Sequence, residues 1–177
     1  MRRSLLAIAF AVAAPLHAQG PFIVDIHSDV AEVQQKINAL ATAIPESAYG
    51  WRPGAGVRSV SEVFMHIAAE NYGIPAMLGA PAPAATGITA DFQTTMTYAG
   101  KTRTREQVIA ELAASFQHLH QALHVNTDQN LAEKIKFFGQ DFTRQRAMLL
   151  IVTHLHEHLG QLIAYARSNN VVPPWSR

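Results

Sequence analysis

The chain has no cysteine among its 177 residues. This absence excludes disulfide bonds, thiolate metal ligands and a cysteine nucleophile. Any metal site must therefore use nitrogen and oxygen ligands, which histidine, carboxylates and water supply. The sequence contains nine histidines, so nitrogen ligands are available.

Charged residues are scarce as well, at 15% of the sequence, and the formal net charge is only +1. No run of lysine and arginine is interleaved with aromatic residues, as a nucleic-acid-binding surface would require. Hydrophobic residues make up 49% of the chain, an ordinary balance for a globular protein of one domain. The composition therefore predicts no nucleic-acid partner.

The first 18 residues are typical of a secretory signal peptide. Arg2 and Arg3 form a positively charged start, and residues 5–16 form an apolar run. That run is shorter than the roughly 20 residues needed to span a bilayer. We therefore expect residues 1–18 to be cleaved, leaving residues 19–177 as a periplasmic or secreted domain with no stable membrane anchor.

Four stretches carry apolar residues at helical spacing, and no stretch alternates in the manner of a strand. Two of them begin with the pattern of a capping box, Ser59 with Glu62 and Thr104 with Gln107. The predicted helices cover residues 24–44, 59–77, 104–126 and 143–168.

These four helices predict an all-α fold, a four-helix bundle with up-down-down-up or similar topology. Residues 78–103, rich in alanine, proline, glycine and threonine, form its long crossover loop. A loop of this length in a compact domain is either a functional flap over a site or a plain connection.

Three histidines crowd into five positions of the last predicted helix. On an α-helix, His154 and His158 stand about 40° apart on one face, whereas His156 is rotated roughly 160° from each. Two imidazoles one turn apart can converge on one cation, but such a pair needs a third ligand. His66, among apolar neighbours on the second predicted helix, is the candidate for that ligand.

Two other interpretations of the histidines stay open. Buried histidines are often satisfied by carbonyl or carboxylate groups, with no metal present. His120 and His124 are also one helical turn apart, and they could form a second metal-binding pair.

The motifs, in their order and spacing, resemble the DinB-like (YfiT-like) family of metal-dependent four-helix bundles over residues 22–175. The resemblance is carried by GWRPGAG before SVSEVFMHIAAE and by HLHEHLGQLIAYARSNNVVPP. The matching positions are His66, His154, His158, Gly160, Gln161, Arg167, Pro173 and Pro174. The family implies a three-histidine site for a divalent metal ion, nickel or zinc, with water completing it. Some relatives are similar to transferases that use small thiols such as bacillithiol or mycothiol.

Three more residues are candidates for supporting the ligands. Gln161 could orient the imidazole of His158 or a bound water, and Glu62 or Glu70 could accept the second N–H of His66. Each of the three could equally be a solvated surface group.

The sequence therefore predicts an exported divalent-metal-binding bundle, and it leaves two function classes open. One is a metal-dependent hydrolase or thiol-type transferase with a small-molecule substrate. The other is a non-catalytic periplasmic module that holds metal or a small ligand. No nucleophile is paired with a base, so no catalytic residue is assigned. The sequence also leaves open whether the protein forms a homodimer.

Overall fold

The computed structural model describes residues 20–176 and consists mainly of helices. Their bounds are α1 Pro21–Ala43, α2 Val60–Met77, α3 Phe92–Ala99, α4 Arg105–His124 and α5 Arg144–Ser168. The four long helices match the four predicted ones and confirm the all-α class. The predicted signal peptide, residues 1–18, lies outside the described residues.

Helix α2 is the centre of the bundle, because 15 of its 18 residues are buried. A helix that is buried on all sides must be enclosed by other elements. Helix α2 packs against α3, α4 and α5, while α1 packs against α4 and α5. None of the helices within residues 20–176 is long and apolar enough to cross a membrane.

Both predicted capping boxes are present. The hydroxyl of Ser59 accepts the Glu62 N–H at 3.3 Å, and the Glu62 carboxylate accepts the Ser59 N–H at 2.7 Å. Thr104 and Gln107 make the same reciprocal pair at the start of α4. Side chains thus bind free backbone amides at the start of both helices. Because the residues involved are only three positions apart, the sequence alone predicts where these helices begin.

The prediction of a long loop over residues 78–103 is wrong in part, because this segment contains the helix α3. The helix has only eight residues, and its buried side chains are Thr95 and Tyr98. So short a helix shows too few turns for a periodic apolar pattern to stand out. Its N-cap is Asp91, whose carboxylate accepts the Gln93 N–H at 3.0 Å.

The structure also contains a two-stranded antiparallel hairpin that the sequence pattern does not predict, with strands β1 Lys134–Phe137 and β2 Gln140–Thr143. Its two turn residues are Phe138 and Gly139, both with positive φ, 49° and 74°. Tight hairpin turns need such angles, but Asn-Gly or Asp-Gly is the usual signal for them. Phe-Gly gives a much weaker signal, so the hairpin escaped prediction.

Gly73 allows α2 and α3 to pack closely. A Cβ atom at this position would lie 2.2 Å from the Thr95 hydroxyl and 3.0 Å from its Cβ. Thr95 is fully buried and cannot swing away. We therefore expect Gly73→Ala to lower the free energy of unfolding by about 1–3 kcal/mol, as overpacking does, measured by chemical denaturation.

Gly160 on α5 provides the matched control, since nothing lies within 4 Å of a Cβ added there. In an open helical position, replacing glycine with alanine gains about 0.5–1 kcal/mol. Gly160→Ala should therefore raise the free energy of unfolding. A Gly73→Ala protein as stable as the unchanged chain would contradict the close α2–α3 contact.

Candidate metal centre

The structure brings His66, His154 and His158 together between α2 and α5. The Nε2 atom of His154 lies 3.2 Å from that of His66 and 3.1 Å from that of His158. His66 and His158 are each only 7% exposed, and His154 is partly buried. Within residues 20–176, this is the only group of three or more potential ligands whose atoms all lie within 4.8 Å of one another.

The spacing of the three nitrogens fits a metal ion better than hydrogen bonds. Zinc–nitrogen bonds of about 2.0–2.1 Å at tetrahedral angles place the nitrogens about 3.3 Å apart. A neutral imidazole nitrogen either carries one hydrogen or offers one lone pair. His154 Nε2 therefore cannot make two ordinary hydrogen bonds to its two histidine neighbours. The three histidines could hold a metal ion, with a fourth position left for water or another ligand.

Gln161 sets the orientation of one of these imidazoles. Its side-chain oxygen lies 2.9 Å from Nδ1 of His158. An amide oxygen only accepts hydrogen bonds, so this contact places the proton on Nδ1 and leaves the Nε2 lone pair facing the other two histidines. That is the tautomer a metal-ligating Nε2 requires.

A short hydrogen-bonded chain extends from Gln161 to the loop before α2. The Gln161 amide donates to the Tyr165 hydroxyl at 3.0 Å, and that hydroxyl donates to the backbone carbonyl of Arg58 at 3.2 Å. These hydrogen bonds connect α5 to the segment that leads into α2. They help to fix the position of His154 and His158 relative to His66. Tyr165 was missed in the sequence, although it stands one helical turn after Gln161.

The surroundings keep the three histidines uncharged. Burial lowers the pKa of His66 to about 3 and that of His154 to about 4, and the positive charge of Arg58 acts in the same direction. Burial also lowers the pKa of His158, against opposing effects of Gln161 and Glu157. Metal ligation requires neutral imidazole, so the lowered pKa values favour it at neutral pH.

The structure does not give Glu62 the supporting role considered for it. Its carboxylate accepts the Ser59 N–H and lies 3.2 Å from the Arg52 guanidinium, so it caps α2. Nδ1 of His66 is buried and has no hydrogen-bond partner among the described residues. The second N–H of His66 is therefore bound by neither Glu62 nor Glu70.

Glu70 is instead a buried acid, 5% exposed. Burial raises its pKa to about 7, and the charge of Arg58 only partly opposes this. The folded protein therefore holds the proton of the Glu70 carboxyl more tightly than the unfolded chain does. The contribution of this carboxyl to the free energy of unfolding is present at low pH, and it is lost as the pH rises through about 7.

We therefore expect the free energy of unfolding of Glu70→Gln, relative to that of the unchanged protein, to rise by about 2 kcal/mol between pH 5 and pH 8. Glutamine keeps the size of the side chain and cannot ionise. Urea denaturation of both proteins at the two pH values measures the effect. A difference in stability that is the same at pH 5 and pH 8 would show that this carboxyl titrates normally.

The other histidines among residues 20–176 lie outside this cluster. His156 points away from the cluster, and its Nε2 lies 3.2 Å from both carboxylate oxygens of Asp29 on α1. His120 lies 2.8 Å from the Gln34 side-chain oxygen, and the His124 ring packs on that of His27. His120 and His124 thus do not form a second group of three or more clustered ligands among the described residues.

Comparison with known proteins agrees with this architecture. The solved structure of a DinB-like protein from Bacillus subtilis matches with a TM-score of 0.66 at 21% identity, covering 86% of this chain and 97% of that one. A DinB-like protein from Bacillus cereus matches with a TM-score of 0.64 at 16% identity, covering 86% and 95%. The TM-scores show that the fold is shared, and at such low sequence identity the likeness shows nothing more.

No curated protein matches the chain. A family model of the DinB superfamily does match, over residues 30–162. This range includes all three clustered histidines and runs from α1 into α5. The protein therefore belongs to the DinB superfamily.

Proposed function

We propose that the protein binds one divalent metal ion, zinc or nickel, through His66, His154 and His158, and that it is a metal-dependent hydrolase or thiol-type transferase. The observation that carries the proposal is the convergence of three Nε2 atoms with spacings of 3.1 and 3.2 Å. Three nitrogen ligands leave one coordination position open, as in catalytic rather than structural zinc sites.

The residues of the chain have distinct tasks in this proposal. The three histidines hold the ion, and Gln161 fixes the tautomer of His158. When bound, such an ion lowers the pKa of a coordinated water or thiol towards neutrality, which produces a nucleophile. The positive charge of Arg58 acts on the same three histidines, so it would favour negative charge that develops beside them.

A test of the enzymatic part compares the metal-loaded protein with His154→Ala. The two reactions to follow are the hydrolysis of an aryl ester and the transfer of a small thiol to an electrophile. We expect one of these reactions to be accelerated by the metal-loaded protein and to return to background in the variant. Tight metal binding without acceleration of either reaction would favour the second candidate, a non-catalytic module that holds metal or a small ligand.

The export predicted from residues 1–18 completes the proposal. The protein would then work in the periplasm or outside the cell. N-terminal sequencing of the protein from the native cell should find a start near Gln19. An intact Met1 on protein recovered from the cytoplasm would contradict export.

A further inference from the structure

A cavity of about 440 Å³ lies between the start of α2 and the segment that joins α3 to α4. Its lining includes none of the three clustered histidines, but it does include Met65, the neighbour of His66 in the sequence. Six side chains decide its chemical character. They are Arg58, Glu62, Met65, Met96, Lys101 and Arg103.

The charges of this lining are unbalanced. Glu62, its one acidic group, is already paired with Arg52 at 3.2 Å. Arg103 lies 3.7 Å from Glu111. Arg58 and Lys101, by contrast, form no ion pair with a carboxylate among residues 20–176, and the Lys101 ammonium lies 4.7 Å from the centre of the Tyr98 ring. Two exposed cationic side chains that form no ion pair within the described residues therefore line one cavity, although the charge of Arg58 also acts on Glu70 from a distance.

The cavity also has an apolar side, formed in part by the two methionines. Its volume falls within the range of about 300–1,000 Å³ typical of small-molecule sites, which are mostly apolar with a few polar groups that fix the ligand. The backbone amides of Ser61 and Glu62 at the start of α2 are already hydrogen-bonded. On this side of the cavity, side chains would therefore supply the contacts to a ligand.

We propose that this cavity binds a small organic molecule that carries a carboxylate or phosphate group on an apolar body. The anionic group would pair with Arg58 and Lys101, and the apolar body would lie against Met65 and Met96. Guanidinium and ammonium groups are the usual protein partners of both anions.

Arg58 links this cavity to the histidine cluster. It lines the cavity, and its charge also acts on the imidazoles of His66, His154 and His158. If the proposed metal site is the reaction centre, the bound anion would be a recognition handle beside it. Binding of the anion does not itself require the metal, so the two proposals can fail separately.

The test is a protein-observed NMR titration with benzoate and phenylphosphonate, and with benzamide as the neutral probe of similar shape. Each probe is added to the metal-loaded protein and to His158→Ala. We expect both anions to bind about tenfold more tightly than benzamide in either protein. Arg58→Gln and Lys101→Gln should each weaken anion binding by about the same factor. Lys136→Gln, which removes an exposed lysine of the hairpin, is the matched control and should change nothing.

Two results would overturn the proposal. One is that the anions bind no more tightly than benzamide, or that Arg58→Gln and Lys101→Gln bind them unchanged. The other is that anion binding disappears in His158→Ala while Arg58→Gln retains it, because the anion would then be bound to the metal. A difference between benzoate and phenylphosphonate identifies which anionic group the cavity prefers. The metal proposal is tested separately, since it fails if the protein takes up no metal.

Discussion

Replacing His66, His154 or His158 with alanine is expected to abolish most of the metal binding proposed for this site. Each variant leaves only two imidazoles, and two neutral nitrogens form a weak site. The three Nε2 atoms share one small space, with spacings of 3.1 and 3.2 Å, so no other described histidine can take the place of a missing ligand. Affinity should fall at least about 100-fold, since the loss exceeds that caused by an outer-shell change.

His156→Ala is the matched control for these three variants. It removes a histidine from the same helix, but the His156 ring contacts Asp29 on the opposite side of α5. Elemental analysis after dialysis against zinc or nickel measures the bound metal directly. Loss of metal in His156→Ala to the same extent as in His154→Ala would disprove the assignment of the ligands to one helix face.

The second large effect is expected from Gln161→Leu, which should weaken metal binding by about 10–100-fold while the protein stays folded. Leucine has a similar size but cannot accept the Nδ1 proton of His158, now 2.9 Å from the glutamine oxygen. The imidazole would then be free to rotate or to adopt the other tautomer. Either change takes the Nε2 lone pair away from the metal.

Isothermal titration with zinc measures this effect, and Gln117→Leu is the control because it changes an exposed glutamine on α4. Gln161→Glu is a second useful variant, since a carboxylate accepts the same hydrogen bond and should preserve binding. Unchanged zinc affinity in Gln161→Leu would mean that this residue is an ordinary surface amide.

The sequence predicted the long helices well because their signals are local. The capping boxes at Ser59 and Thr104 are formed by residues three positions apart, and the apolar stripes repeat every turn. The β1–β2 hairpin and α3 were missed because their stability comes from contacts with the bundle. Phe137 and Phe142, for example, are buried in the core of the bundle. A strand of four residues is too short for its sequence to predict that packing.

The candidate site was predictable in part for the same reason. The rotation angle between His154 and His158 follows from helix geometry alone, and it also turns His156 away. The pairing of Glu62 with Arg52 could not be foreseen, because Arg52 lies ten residues earlier in an irregular segment. The cavity beside Arg58 likewise depends on how α3 folds back onto α2, which is a tertiary arrangement.

The histidine cluster joins parts of the chain that are 88 residues apart, from His66 to His154. A bound metal would therefore act as a reversible cross-link that closes a long loop, and it would bind the folded chain far better than the unfolded one. At a free metal concentration 100 times the dissociation constant, such a ligand adds about 2.7 kcal/mol to the stability. The folded fraction of the protein would then follow the metal supply of its surroundings, so scarcity of the ion would expose more of the chain to proteolysis.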